Sequence, residues 1–322
     1  MSNSRHLIVD GSNLLHRILH VPKLKMLRDV RGRFTGGQYG VLKSLRMTIE
    51  QQEIDGLCVV VWDHGHSKRR MKLFKGYKER PERKVEKVDG IFFDYSKQFK
   101  LQRAAINVGL RSLGVRIAGM PGREADDVIA KLLAFFENEV VIATEDKDFY
   151  QLISRNVSVW RPMLGVLFDE GTFIEDQQFK PRFWIYFRAM IGDPSDGIPG
   201  VGGVGEATAR KVVQEMQRPD MESLLLAISR LSDTDKRVAL LKDEEDVLRR
   251  NVRLIDLKAE RFEWSELAEL RKLIETPTVI DPHEFALWAQ KFDLQSVMDF
   301  FVQYLETFRR VGGRNAQVVG VR

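Results

Sequence analysis

Cysteine occurs once in the 322 residues, as Cys58 inside the apolar run "LCVVVW". One thiol forms no disulfide within the chain, so the fold has no covalent staple and a reducing cytoplasm is its expected home. Long apolar runs are missing too: the start "MSNSRHLIVD" lacks the core of a signal peptide, and no later stretch has the length that spans a bilayer. No membrane contact is expected. Repeats and low-complexity segments are absent, and 43% apolar with 30% charged residues is the balance of a globular chain rather than a disordered one. Such a length allows one large domain or two ordinary ones. A net charge of +5 and a pI near 9.2 favour a polyanionic partner without identifying it.

What is present is an alternation. The runs "HLIVD" (6–10), "GLCVVVW" (56–62), "GVRIAG" (114–119) and "EVVIAT" (139–144) read as strands. Between them, "GQYGVLKSLRMTIEQ", "KLQRAAINVGLRSL" and "EADDVIAKLLAFFE" place apolar residues at helical spacing. This pattern predicts a parallel sheet with helices on both faces, whose ligands meet the carboxyl ends of the strands. From about Phe179 helical segments follow one another, among them "PRFWIYFRAMIG", "EATARKVVQEM", "MESLLLAISRL" and "PHEFALWAQKFD". An insertion from Lys68 to Lys87 holds ten Lys or Arg and three Glu, interleaved with Met71, Leu73, Phe74 and Tyr77. A solvated face would mix its signs more evenly, so this segment is expected both to pack and to grip phosphates.

Acids sit at the strand ends. Asp10 closes the first strand, Asp63 follows the second, Glu124, Asp126 and Asp127 open a helix after the third, and Asp146 and Asp148 follow the fourth. Any one of them has an ordinary reading as a turn residue or a partner of a helix dipole. All seven at one sheet edge would repel by an amount on the order of several kcal/mol unless cations neutralise them. Oxygen-only donors, with no Cys or His cluster among these motifs, select hard ions such as Mg²⁺ or Mn²⁺. The stretch "IGDPSDGIPGVGGVG" (191–205) adds Asp193 and Asp196. Its Gly200, Gly202 and Gly205 have the spacing of a dinucleotide fingerprint, but turn chemistry stands where that fingerprint requires a strand. The glycines are expected instead to make a hairpin that opens a helix, with bare N–H groups able to hold a duplex phosphate.

Taken together these blocks resemble the flap endonuclease and 5′-to-3′ exonuclease family, particularly the stand-alone 5′ nucleases of bacteriophages and the related domain of bacterial DNA polymerase I. "VDGSNLLHR" is similar to the family's first block and "GRFTGGQYGVLKSL" to its second, while "WDHGHSKRRMKLFKGYKERP" keeps the spacing from Asp63 to Arg70 and to Tyr77 and Lys78. "GREADDVIA", "TEDKDFYQL" and "GDPSDGIPGVGGVGEATA" complete six blocks in family order over about residues 6–215. There are two departures: Arg80 comes one residue earlier than the arch arginine of many relatives, and Phe34 stands where a proline is frequent. Beyond about residue 220 the resemblance fades, and the chain is too short to include a polymerase.

The resemblance implies an α/β fold: a PIN-like parallel sheet flanked by helices (1–178), a helical arch insertion (about 64–98), a C-terminal helical region (179–310) containing a helix-three-turn-helix motif (about 183–216), and a flexible tail (311–322). It implies two Mg²⁺ or Mn²⁺ ions about 3.5–4 Å apart. Asp10, Asp63, Glu124 and Asp126 would surround the first; Asp146, Asp148 and Asp193 would favour the second, with Asp127 and Asp196 acting through water. Lys78, Arg70 and Arg17 would act at the scissile phosphate. Tyr77, Lys72, Lys75, Gly200, Gly202, Gly203, Gly205 and Lys211 would contact DNA, with a monovalent cation such as K⁺ at the helix-three-turn-helix. The arch tip near Pro81 would order on binding. The implied activity is that of a structure-specific 5′ nuclease acting on DNA with a 5′ flap or 5′ end, and on RNA primers in RNA–DNA hybrids, in replication or repair. It would work as a monomer in the cytoplasm of a bacterium or phage-infected host, beside a replisome or single-strand-binding protein. A non-catalytic junction scaffold has no use for the carboxylate set, and a PIN-like ribonuclease has no need of the glycine hairpin.

Overall fold

In the computed structural model of the protein, which describes residues 4–79, 85–88, 90–311 and 317–318, the apolar runs become strands covered on both faces. They are β1 (Arg5–Asp10), β2 (Cys58–Val61), the separate antiparallel pair β3 (Val85–Val88) and β4 (Ile91–Asp94), then β5 (Arg116–Ala118), β6 (Glu139–Ala143), β7 (Val157–Arg161) and β8 (Val166–Phe168). The main sheet has the order β5-β2-β1-β6-β7-β8, parallel except for β8, which lies antiparallel along β7 at one edge. Sequence periodicity foresees four of these six strands. It misses β7, whose apolar run is broken by Ser158, and the three-residue edge strand β8, joined to it by the turn of Pro162 to Gly165.

The helices are α1 (Gly11–Leu19), α2 (Pro22–Lys25), α3 (Gly36–Gln51), α4 (Lys68–Leu73), α5 (Tyr95–Ser112), α6 (Ala125–Leu132), α7 (Glu170–Gln177), α8 (Trp184–Ile191), α9 (Glu206–Glu215), α10 (Met221–Ser232), α11 (Lys236–Ala239), α12 (Glu245–Ile255), α13 (Trp264–Glu275), α14 (Pro282–Lys291), α15 (Gln295–Met298) and α16 (Phe301–Arg310). Side chains alternate along a strand, so Leu7, Val9 and Val60 face one core and Ile8, Val59 and Val61 another. The first core takes Leu15, Leu45 and Ile106 from α1, α3 and α5, and is closed by Phe285 of α14 and Phe308 of α16. The second runs unbroken through Val128, Phe187, Val212 and Leu248 of α6, α8, α9 and α12. The change near residue 178 is therefore a change of secondary structure and not a gap in packing.

One expectation needs correction. Among the described residues of 64–98 only α4 and the start of α5 are helical: α4 stops at Leu73 where Phe74 is extended (φ −150°), and β3 and β4 form a hairpin around Gly90 at φ 79°. Arg80 and Pro81 lie outside the described residues. Of the expected flexible tail, residues 317–318 pair in parallel with the short strand Val279–Ile280. Its neighbours 312–316 and 319–322 also lie outside the described residues. Among the described residues no helix is long and apolar enough to cross a membrane.

The expected helix-three-turn-helix is α8, a tight path through Gly192–Gly205, and α9. Asn251 of α12 is wholly buried, and its amide donates to Ala189 O (2.9 Å) and Pro199 O (2.8 Å), tying together the two sides of that path. Asn251→Leu leaves both carbonyls without that donor. It is expected to lower stability in urea unfolding by about 2 kcal/mol.

Candidate functional site

Parallel strands put their carboxyl ends on one edge, and there a cleft of about 750 Å³ opens, lined by Asp10, Asp63, Asp126, Asp146 and Asp196 with Arg17, Lys78 and Arg188. Three of these acids, and Asp193 beside them, are held by local structure. Asp10 caps α1, accepting from Asn13 N (3.0 Å) and from Thr144 Oγ1 (3.1 Å). Asp63 accepts from Ala125 N (2.7 Å) in the first turn of α6, while its own amide donates to Ser12 Oγ (2.9 Å). Asp146 caps the 3-10 turn Lys147–Leu152, accepting from Asp148 N (2.8 Å). Asp193 accepts from Ser195 N (2.9 Å) and pairs with Arg188 (2.8 Å), which also reaches Asp148 (3.3 Å). Oxygens of Asp148, Asp193 and Asp196 lie within 4.8 Å of one another, close enough to hold one metal ion.

The electrostatics show a cluster short of positive charge. Burial, with Asp63 and Asp146 adding to it, pushes Asp10 up to about 7. Burial pushes Asp196 up to about 6 although Lys78 opposes it. Asp126 and Asp148 are driven well above the usual carboxylate range, again by burial first and then by neighbouring acids. Burial also raises Asp146. Asp193 goes the other way: burial would raise it, but Arg188 and Ser195 outweigh burial and hold it low. An all-oxygen donor set whose acids cannot all stay ionised fits hard divalent cations, which supply the missing charge.

Of the expected metal ligands, Asp10, Asp63, Asp126, Asp146 and Asp196 line the cleft, and Asp148 and Asp193 meet Asp196 at its wall. Glu124 and Asp127 do not line it. Asp127 is 0% exposed with both oxygens on Arg70 (2.7 Å each), and Glu124 is 1% exposed, accepting from Arg70 (2.8 Å), Tyr77 Oη (2.8 Å) and Ser67 N (3.3 Å). Successive residues of a helix point about 100° apart, so Asp126 faces the cleft while Asp127 faces inward.

Arg70, expected at the scissile phosphate, is 1% exposed, with Nε donating to Leu254 O (2.7 Å). It is a buried counter-ion. Tyr77, expected to stack on a base, is 5% exposed and packs with Ala189, Ile198 and Leu254. Lys78 does line the cleft: burial disfavours its charge, but Asp126 and Asp196 outweigh burial and hold its pKa above the ordinary lysine value. Arg17 also lines the cleft, with Nη2 against Met163 Sδ. Lys72 and Lys75 are exposed, as are Gly202, Gly203 and Gly205, whereas Lys211, also exposed, bonds Asp235 (2.9 Å). Gly200 has a packing role instead: a Cβ there would lie 2.3 Å from the Ile191 carbonyl carbon.

Sequence reasoning missed Arg188 and Thr144. The first had a signal, a lone cation within the apolar helix "WIYFRAMI"; the second, a threonine after a strand, had none. An adjoining cavity of about 670 Å³, walled by Val21, Leu45 and Met163, opens beside Arg17 and holds none of the metal-site aspartates.

Comparison with known proteins gives a consistent result. A family model described as "5′-3′ exonuclease, N-terminal resolvase-like domain" matches residues 5–183, and one described as "5′-3′ exonuclease, C-terminal SAM fold" matches residues 179–273. A thermostable DNA polymerase I of Thermus aquaticus is 36% identical over 231 residues, 70% of this chain and 26% of the polymerase. The chain thus spans about a quarter of that relative's length. A 5′-3′ exonuclease of Bacillus subtilis is 34% identical over 239 residues, 70% of this chain and 76% of the relative. Among solved structures, a pseudo-enzyme–product complex of bacteriophage T5 flap endonuclease with DNA and metal ions is similar in fold, with a TM-score of 0.59, 17% identity, and coverage of 94% of this chain and 99% of that one.

Proposed function

Since this chain belongs to the 5′-3′ exonuclease family, we propose that it hydrolyses phosphodiester bonds at the 5′ ends and flap junctions of DNA, with RNA primers in RNA–DNA hybrids as a second substrate. The observation that carries the reading is the cleft, where five aspartates stand opposite Lys78 and Arg17. Bound Mg²⁺ or Mn²⁺ would activate a water and stabilise the leaving oxygen. The candidate holders are Asp10, Asp63, Asp126 and Asp146 towards the sheet and Asp148, Asp193 and Asp196 towards α8.

The chain's own groups have separable tasks. Lys78, kept charged by Asp126 and Asp196, places an ammonium where charge develops on the scissile phosphate. Arg17 offers a second cation to that phosphate. Arg188 neutralises Asp193 and steadies Asp148. Gly202, Gly203 and Gly205, exposed ahead of α9 and with open space around Gly202 and Gly205, would offer backbone N–H groups to a duplex phosphate, and a monovalent cation such as K⁺ at this turn belongs to the same reading. Lys72 and Lys75 extend the positive surface along the single strand. We place the protein in the cytoplasm as a monomer acting in replication or repair, beside a replisome or single-strand-binding protein. The Bacillus relative bears the name 5′-3′ exonuclease, and the T5 relative was caught with DNA and metal ions; both support the reading.

The test is a 5′-labelled double-flap DNA incubated with Mg²⁺, beside an EDTA control and an Asp63→Asn variant. Cutting at the flap junction that needs metal and disappears in the variant is expected. Tight binding of the junction without cutting, in either Mg²⁺ or Mn²⁺, would replace the nuclease by a junction-binding scaffold.

A further inference from the structure

The turn that carries Lys78 rests directly on the path between α8 and α9. Lys78 N donates to Asp196 O (2.9 Å), and Lys78 Nζ lies 3.8 Å from the Asp196 carboxylate. Next along, Gly197 has φ 70°, and a Cβ there would fall 2.6 Å from Gly76 O, 3.7 Å from Gly76 C and 3.9 Å from Lys78 N. Two backbones therefore touch where a side chain would part them. Lys78 itself sits at φ 50°, a region unusual for a lysine, so its backbone is held there by its surroundings. On the far side, Asn251 pins Ala189 O and Pro199 O, so the hairpin that Gly197 belongs to has little freedom to yield.

From this contact we infer that Gly197 is a positioning residue for the proposed cleavage: it lets the path leading to the duplex-binding glycines seat the Gly76–Lys78 turn and so fixes where the Lys78 ammonium points. The inference rests on the nuclease reading for its kinetic consequence, though not for the contact itself. Gly202, Gly203 and Gly205 follow the same path, so a duplex held there and a phosphate facing Lys78 share one rigid frame. By reciprocity, whatever steadies the glycine turn steadies the lysine, and the reverse.

The experiment compares wild type with Gly197→Ala, Gly197→Asn and Lys78→Ala on the double-flap DNA. Asparagine tolerates the left-handed backbone but still brings a Cβ, so it separates the close contact from backbone strain; Gly165→Ala, at a glycine with φ 66° and open space around it, reports strain alone. Both Gly197 variants are expected to lower kcat by about tenfold or more with KM and junction affinity unchanged, and Gly197→Ala is expected to add no further loss in a Lys78→Ala background. Lysine acylation read by mass spectrometry supplies an assay that needs no cleavage: Lys78 should be labelled several-fold faster in both Gly197 variants. An additive loss on top of Lys78→Ala, a raised KM with kcat intact, or Lys78 labelling equal to wild type would each overturn the inference. If wild type does not cut at all, the nuclease reading fails while the labelling still decides the contact.

Discussion

Asp10→Asn is expected to abolish metal-dependent cleavage while making the metal-free protein more stable. The loss follows from position: Asp10 ends β1 at the centre of the sheet, and Asp63 and Asp146 both act on it electrostatically. Removing one charged oxygen from such a centre should slow single-turnover cleavage by at least about a hundredfold. The gain follows from linkage. The folded Asp10 carboxyl holds its proton up to about 7, against an ordinary value of 3.8. The folded state therefore binds more protons than the unfolded state between those values, and stability falls as pH rises through that window. The cost is absent below the unfolded value and complete above the folded one, on the order of a few kcal/mol. Asparagine removes this contribution. Thermal melts in EDTA at about pH 5 and about pH 8 should show a steep loss for wild type and a shallower one for Asp10→Asn. Mg²⁺ should raise the wild-type melting temperature more at the higher pH, since binding to the folded form alone stabilises it.

The second large effect concerns stability. Arg70→Ala is expected to cost about 3–5 kcal/mol, because it strands two buried carboxylates, Asp127 and Glu124, that the guanidinium now satisfies. Arg70→Lys should recover only part of this, since a single ammonium cannot reproduce the two-pronged bond to Asp127 together with bonds to Glu124 and Leu254 O. Urea unfolding measures the cost. Were Arg70 a phosphate contact instead, the alanine variant would unfold at the wild-type midpoint and lose only its cleavage rate.

Arg70 and Arg188 show where sequence reading stops. Strands buried on both faces leave unbroken apolar runs, so β1, β2, β5 and β6 and the acids that follow them were legible from the chain alone. Facing was not. The interval from Asp63 to Arg70 or Lys78 is a distance along the chain; in the fold Lys78 meets the cleft while Arg70 turns inward onto Asp127, Glu124 and Leu254 O. The same holds for Asp126 and Asp127, neighbours with opposite surroundings. Arg188 was visible as a lone cation in an apolar helix, but its partners Asp148 and Asp193 come from different elements that periodicity cannot bring together. β7, with Ser158 inside its run, and β8, a partly buried edge strand, lack the unbroken apolar run of the strands buried on both faces.

The parallel pairing of β1 with β6 sets Leu7 beside Val141, so the sheet cannot close until a long crossover has been made. Non-local pairings of this kind form late and slowly. The acids at the cleft come from strand ends and turns spread from Asp10 to Asp196, and the path carrying Asp193 and Asp196 is braced only when Asn251 arrives. At synthesis rates of about 5–20 residues per second, a growing chain would spend many seconds with its basic segment already made and its cutting centre unfinished. On the proposed nuclease reading, a chain stalled short of α12 is therefore expected to bind DNA through its basic segment without cutting it.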